Sequence, residues 1–304
     1  MSGGAIRLEG RRIAVVGGDD REQEVARLAA AAGAEVRAYG FPWPVGGITG
    51  VSLVGSPEEA LEDADYALFP IPGMGLDGSL YAPHAAKAVV PDEVLLGRMH
   101  PGATIILGTA DEALRERAGR LGYELFEYEN DTELMLRRGP AIVEGVLSAA
   151  IANTAITLHA ANVGVVGHGN IGRLLARTLV LLGAHVHVFA RNPVQRADAY
   201  TAGCLAHPLD ELEMTAGELD MLFSTVPTRV VGTAVLHGLP AGALVMDLAA
   251  PPGGVDLAAA EELGLRAVWA RGMGKRAPVT VGRSQWDGIM KRIADAEGRR
   301  ADGR

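Results

Sequence analysis

Three glycines carry the clearest chemistry in this chain. Gly167, Gly169 and Gly172 lie in the run Val163-Gly164-Val165-Val166-Gly167-His168-Gly169-Asn170-Ile171-Gly172. Spaced G-x-G-x-x-G between a β-branched run and the apolar stretch Arg173 to Leu182, they predict a strand that turns into a helix around a pyrophosphate. Gly167 permits the tight turn, Gly169 lets the backbone approach the phosphates, and Gly172 packs helix on strand, with His168, Asn170 and Ile171 completing the turn. The helix N-terminus adds free N–H groups and partial positive charge. The next strand of such a unit ordinarily ends in Asp or Glu, which bonds a ribose 2′-hydroxyl. Here His185 to Phe189 runs into Ala190-Arg191-Asn192 instead. An absent carboxylate and a present guanidinium predict NADP over NAD, because a 2′-phosphate pairs with arginine. Arg191 stacked on the adenine would serve either cofactor. Thr225-Val226-Pro227 and Asp247-Leu248-Ala249 close two later strands and are expected to flank the nicotinamide half. Asp247 also reads as a structural aspartate at a loop start. His168 is expected to face solvent or a phosphate.

Those positions need a scaffold, and the chain repeats one. Arg12 to Val16, a Gly17-Gly18-Asp19-Asp20 turn, a helix from Glu22 to Ala32 and a strand from Ala34 to Tyr39 form a first βαβ unit about 150 residues ahead of the second. Its turn lacks a third glycine, and its aspartates would cap the helix and repel a pyrophosphate. The pattern predicts two doubly wound Rossmann-like α/β domains in a formate/glycerate dehydrogenase-like arrangement with a long interdomain helix. The expected bounds are 1–140 for a substrate domain, 141–161 for the linking helix, 162–276 for the NADP-binding domain, 277–296 for a closing helix and 297–304 for a frayed tail. In the first domain, strands ending at Pro70-Ile71-Pro72 and at Thr109 lead into loops that could wall a substrate or be plain surface. Glu144, expected in the first turn of the linking helix, either favours the helix dipole or faces the interdomain cleft.

With 304 residues the chain has room for two domains, and an apolar content of 48% with few aromatics suits α/β layers. A net charge of −9 argues against a nucleic-acid surface but not against an anionic small substrate. The single cysteine, Cys204, excludes an internal disulfide, fits a reducing cytoplasm and reads as a small buried hydrophobe. No run approaches the roughly 18 apolar residues of a membrane helix, and Met1 to Arg7 lacks a signal peptide's apolar core. A cytoplasmic protein without membrane or nucleic-acid partners is expected. No metal-ligand cluster or carboxylate pair stands out, so the pattern predicts no metal and names no acid–base residue.

The motifs together resemble the A subunit of dipicolinate synthase. The likeness rests on Ile13-Ala14-Val15-Val16-Gly17-Gly18-Asp19, Gly46-Gly47-Ile48-Thr49-Gly50, Val143-Glu144-Gly145, the glycine turn, Ala190-Arg191-Asn192, Asp247-Leu248-Ala249 with Pro252-Gly253-Gly254, and Ala277-Pro278. The chain departs from the family at Gly272-Met273-Gly274-Lys275-Arg276, where Leu-Pro-Gly is common, and at Val279, where a lysine is common. It also departs at Arg137-Arg138-Gly139, in place of a segment with asparagine. The resemblance implies NADP-dependent dehydrogenation of a dihydrodipicolinate, formed from 4-hydroxy-tetrahydrodipicolinate, to pyridine-2,6-dicarboxylate in the mother cell of a spore-forming bacterium. It implies a partner, the flavoprotein-like B subunit, and leaves room for a homo-oligomer. A dicarboxylate requires cations and donors, for which Thr109, Arg138, Lys275 and Arg276 are candidates, each also readable as ordinary surface. Glu144 is the candidate catalytic residue. A 2-hydroxyacid or amino-acid dehydrogenase and a non-catalytic NADP-binding partner subunit remain alternatives.

Overall fold

The computed structural model describes residues 7–75 and 77–302; the opening residues 1–6, Leu76 in the expected wall loop and the tail residues 303–304 lie outside them. The chain forms two compact units, one of Met1–Arg138 with Ala277–Arg304 and the other of Gly139–Arg276.

In the first unit the chain runs β1 (Arg12–Val16), α1 (Asp20–Ala31), β2 (Glu35–Tyr39), β3 (Val51–Leu53), α2 (Pro57–Leu61), β4 (Tyr66–Leu68), α3 (Glu93–Leu96), β5 (Thr104–Leu107), α4 (Glu112–Arg120) and β6 (Glu124–Glu127). Helix α5 (Thr132–Ala152) then begins in the first unit and continues into the second. The second unit adds β7 (Asn162–Val166), α6 (Asn170–Leu181), β8 (His185–Phe189), α7 (Pro193–Thr201), β9 (Leu205–His207), α8 (Leu212–Thr215), β10 (Met221–Ser224), α9 (Thr233–Gly238), β11 (Leu244–Asp247), α10 (Leu257–Glu262) and β12 (Arg266–Trp269). Helix α11 (Pro278–Asp302) returns to the first unit.

Each unit holds one parallel six-stranded sheet, ordered β3-β2-β1-β4-β5-β6 and β12-β11-β10-β7-β8-β9. Both are doubly wound, with the order reversing between β1 and β4 and between β7 and β10. The central strands read as unbroken apolar runs because helices cover both faces. Ile13, Ala14, Val15 and Val16 are all buried, as are Val163, Val165 and Val166 in the second sheet.

The linking helix differs from its expected span of 141–161. It starts nine residues earlier, where the Asp131 carboxylate accepts from the Glu133 and Leu134 N–H groups. It stops at Ala152, where Asn153 turns its amide back onto the Ala149 carbonyl at 2.9 Å. Pro140 therefore lies inside the helix, not at its start. Glu144 consequently sits deep in the helix, and a first-turn dipole role does not apply to it.

The expected frayed tail is helical as far as Asp302. Its polar residues have partners in the first unit: Glu297 pairs with Arg11 and Tyr66, and an Arg300 Nη donates to the Gly102 carbonyl at 2.8 Å. Charge composition alone could not show that those partners exist. Small residues let α11 seat closely: a Cβ on Gly282 would come 2.7 Å from the Arg21 carbonyl oxygen, and one on Gly288 would come 2.3 Å from Leu134.

At the edge of the second sheet, His187 Nδ1 lies 3.2 Å from His207 Nε2 with the rings stacked, and His207 Nδ1 lies 3.1 Å from Glu211. Burial, then the nearby His207, holds His187 below the ordinary histidine value of 6.5, with His185 adding and Glu218 opposing. The folded state thus prefers the neutral ring, so its stability contribution is full above 6.5 and lost as pH falls through the depressed value. His187→Phe is expected to flatten the fall in melting temperature between neutral and acidic pH. Parallel melting curves for the two proteins would remove this account.

Candidate dinucleotide site

The glycine turn of the second unit is built to admit a ligand. Gly169 is the N-cap of α6, with no side-chain cap and no acidic residue in the first turn. The N–H groups at the start of the helix are left for an anion. A Cβ added at Gly169 meets nothing within 4 Å, so the space above the turn is open. Gly167 and Gly172 serve the turn itself. Gly167 has φ +92° and a Cβ there would press on Thr225 Oγ1 at 2.7 Å, while one on Gly172 would come 2.3 Å from the Gly167 carbonyl oxygen. Asn170 is exposed and Ile171 half-buried at the helix start.

The matching turn of the first unit is closed. Asp19 and Glu22 form a capping box on α1, and the Asp19 N–H donates to Glu22 at 2.8 Å. The Glu22 side chain lies over Gly18, where an added Cβ would be 2.3 Å from it. Burial pushes this carboxyl above its usual range, with Arg21 opposing. Residues of the second unit fit a pyrophosphate, and those of the first fill the same place with their own carboxylate.

Around the open turn, the expected residues play distinct parts. His168 does not face solvent: its ring is buried and its Nε2 lies 2.9 Å from Asp198 of α7. A contact across 30 residues of sequence holds the ring inward, and its Nδ1 has no partner among the described residues. Beyond β8, Ala190 is buried and Arg191 exposed, while the Asn192 side chain caps α7 by accepting from the Val194 N–H at 2.8 Å. Arg196, which the sequence reading missed, donates to the carbonyls of Ala190 and Arg191, both at 2.8 Å. The Asn192-Pro193 helix start was the available signal, since it sets Arg196 one turn into α7 and back toward the strand end.

Thr225 donates its hydroxyl to the Val166 carbonyl at 3.0 Å and so braces the turn; Val226 is half-buried and Pro227 exposed beside it. Asp247 is fully buried and accepts from the Ala249, Gly254 and Val255 N–H groups at 3.0, 2.8 and 3.0 Å. Its carboxylate is taken up in shaping the loop after β11. Cys204 is buried, and desolvation with the Asp198 charge pushes its thiol up to about 11, which suits packing and not nucleophilic work.

The substrate candidates divide between the units. In the first, Thr109 is exposed at the end of β5, and its carbonyl accepts from the Met74 N–H at 3.2 Å. Gly73 and Gly108 let these loops touch, since added Cβ atoms would fall 1.9 Å from the Thr109 oxygen and 1.6 Å from the Ile71 oxygen. Arg138 is buried on Glu129 at 2.8 Å, with its Nε unpartnered among the described residues. In the second unit, Arg276 binds Glu144 at 2.7 Å, both side chains being more than half exposed. Lys275 lies over Gly272. Gly145 leaves no room for a ligand, because a Cβ there would come 2.3 Å from the Met273 carbonyl oxygen.

Comparison with known proteins agrees with this geometry. Residues 12–129 match the N-terminal domain of the dipicolinate synthase A subunit, and residues 137–248 match the D-isomer specific 2-hydroxyacid dehydrogenase, NAD binding domain. The A subunit of dipicolinate synthase from Bacillus subtilis (strain 168) is 29% identical over 95% of this chain and 98% of its own length. The crystal structure of the A subunit of dipicolinate synthase from Bacillus halodurans superposes with a TM-score of 0.87 at 28% identity, covering 95% of this chain and 99% of that one. A transhydrogenase from Sinorhizobium meliloti, at 15% identity and a TM-score of 0.66 over 89% of this chain and 87% of that one, shares the fold. The open glycine turn lies within the matched NAD-binding domain, so the chain is similar to the dipicolinate synthase A subunit along nearly its whole length and its second unit matches a dehydrogenase-type NAD-binding domain.

Proposed function

We propose that the chain catalyses NADP-dependent dehydrogenation of dihydrodipicolinate, formed from 4-hydroxy-tetrahydrodipicolinate, to pyridine-2,6-dicarboxylate, acting in the cytoplasm with a B subunit. The open, uncapped turn at Gly169 carries this reading, supported by the likeness to the A subunit of dipicolinate synthase along nearly the whole chain. A nicotinamide cofactor bound there supplies the two-electron oxidant. The protein's own residues do the rest. The N–H groups at the start of α6 hold the pyrophosphate, and Asp247 fixes the Leu248-Ala249 backbone beside the nicotinamide half. Arg191 is the partner for a 2′-phosphate, and Arg196 steadies the strand end that carries it. Arg138, Thr109, Lys275 and Arg276 are assigned to the substrate carboxylates, and Glu144 to the proton lost from the ring.

Arg191→Ala is expected to weaken NADP binding by roughly 1.5–3 kcal/mol, the scale of a hydrogen bond to a charged group, and to leave NAD nearly unchanged. Calorimetric titration with both cofactors checks this, and equal losses would assign Arg191 to the adenine instead. The function itself is tested by following the reduced-nicotinamide absorbance with freshly made dihydrodipicolinate, with and without a B subunit. Substrate-dependent reduction of NADP supports the enzyme. Cofactor binding without turnover under either condition supports the non-catalytic role, and turnover of 2-hydroxyacids alone supports the simpler dehydrogenase.

A further inference from the structure

The outer strand β12 of the second sheet ends in a pair of residues that the dinucleotide turn does not explain. Trp269 closes the strand with about two-fifths of its surface exposed. Its indole is not free to swing, because Nε1 donates to the Ala249 carbonyl at 3.1 Å. Ala249 is itself held by Asp247, to which its N–H donates at 3.0 Å, and the Ala270 N–H donates to the Asp247 carbonyl at 2.7 Å. Over the fixed indole face lies Arg271, its guanidinium carbon 5.3 Å from the ring centroid. Among the described residues Arg271 makes no ion pair, whereas Arg276, five residues on, is taken by Glu144.

We propose that Arg271, held over the face of Trp269, binds a carboxylate group of the ring substrate. The inference rests on the dehydrogenase reading above and adds a further cation of the second unit to those assigned to the substrate carboxylates. A guanidinium held over an aromatic ring by its cation–π attraction spends none of its N–H groups on that contact, and they stay open to grip a carboxylate with two parallel bonds. Its place fits that task. Ligands of an open parallel sheet lie beyond the carboxyl ends of its strands, around the point where strand order reverses. In this sheet that point falls between β7 and β10. Arg191 follows β8 on one side of it, where the 2′-phosphate is expected. Arg271 follows β12 on the other, over the Trp269 whose indole bonds the Ala249 carbonyl, in the backbone assigned to the nicotinamide half. Trp269 acts through Arg271 as a positioning residue, tied through Ala249 to the buried Asp247.

The test uses the full chain saturated with NADP and three stable probes: pyridine-2,6-dicarboxylate, pyridine-2-carboxylate and uncharged pyridine. Calorimetry on the native protein should rank them in that order. Arg271→Ala is expected to weaken the dicarboxylate by roughly 10- to 100-fold, the range for losing a charged hydrogen-bonding group, without changing NADP affinity. Arg271→Lys should recover only part, because an ammonium cannot present the fork. Trp269→Leu should narrow the preference for the dicarboxylate over the monocarboxylate, and Trp269→Phe should restore much of it by returning an aromatic face. A loss of fold alone would move cofactor affinity too and would not follow that pattern. Dicarboxylate binding that is unaffected by Arg271→Ala overturns this assignment and leaves the proposed substrate standing. No dicarboxylate binding by the native chain, with NADP bound normally, overturns both.

Discussion

Gly169→Val is expected to yield a folded protein that no longer binds NADP(H). The backbone at Gly169 has φ −85° and ψ −159°, extended values that a β-branched residue adopts without strain. Nothing lies within 4 Å of the added Cβ, so the fold should not register the change. The cost appears only when a pyrophosphate approaches, because the valine methyls occupy the space it needs. Gly172→Val is the contrasting control, since its Cβ would meet the Gly167 carbonyl oxygen at 2.3 Å and should damage the fold first. Circular dichroism and thermal melting report the fold, and quenching or enhancement of NADPH fluorescence reports binding. A Gly169→Val protein that melts and binds like the native one would show that the turn serves packing alone.

Glu144→Gln is expected to lower turnover by roughly 10²–10⁴, the usual contribution of a general base, with cofactor affinity unchanged. Arg276 holds one oxygen, Oε2, at 2.7 Å. A carboxylate gripped on one oxygen can still take a proton on the other, and glutamine keeps the shape while removing that capacity. The rival role is an exposed ion pair, since both side chains are more than half exposed. Such pairs contribute about 0–1 kcal/mol to stability and nothing to chemistry. The two roles separate cleanly in one assay, made with whatever second subunit turnover requires: an unaltered rate with a small drop in melting temperature would return Glu144 to the surface pair.

What the sequence disclosed follows the range of the interactions concerned. The strand–turn–helix at 163–181 is a local pattern of apolar run, glycine spacing and amphipathic helix, and the structure places β7 and α6 there. Strands β3, β6 and β9 were not foreseen, because short edge strands such as Glu124-Leu125-Phe126-Glu127 carry charges at both ends and little apolar signal. The linking helix was misplaced for a different reason: Gly139-Pro140 reads as a boundary, while the Asp131 cap that starts the helix looks like any loop aspartate. In the site, glycines whose roles are steric could be read from spacing. The buried turn of His168 toward Asp198, the Arg196 brace and the Trp269–Arg271 platform depend on partners from other elements, and spacing is silent about those. Asp247 shows the same limit within one residue: its position at a strand end was legible, but the three backbone donors that occupy its carboxylate come from a loop fold that no motif encodes.

The interleaving of the units bears on the order of their maturation. The second unit is one continuous segment, Gly139–Arg276, whereas the first needs both Met1–Arg138 and the returning Ala277–Arg304. Contacts between α1 and α11 join residues more than 250 positions apart, including Glu24 with Arg283 at 2.9 Å. Closing so long a loop is slow compared with local assembly. On a ribosome, the dinucleotide domain can complete itself while the domain begun before it still lacks its last helix, with the α1 face that α11 covers left open to chaperones or to misassociation. Cofactor binding would then precede maturation of the other unit, and lesions near the carboxyl end of the chain would damage its amino-terminal domain.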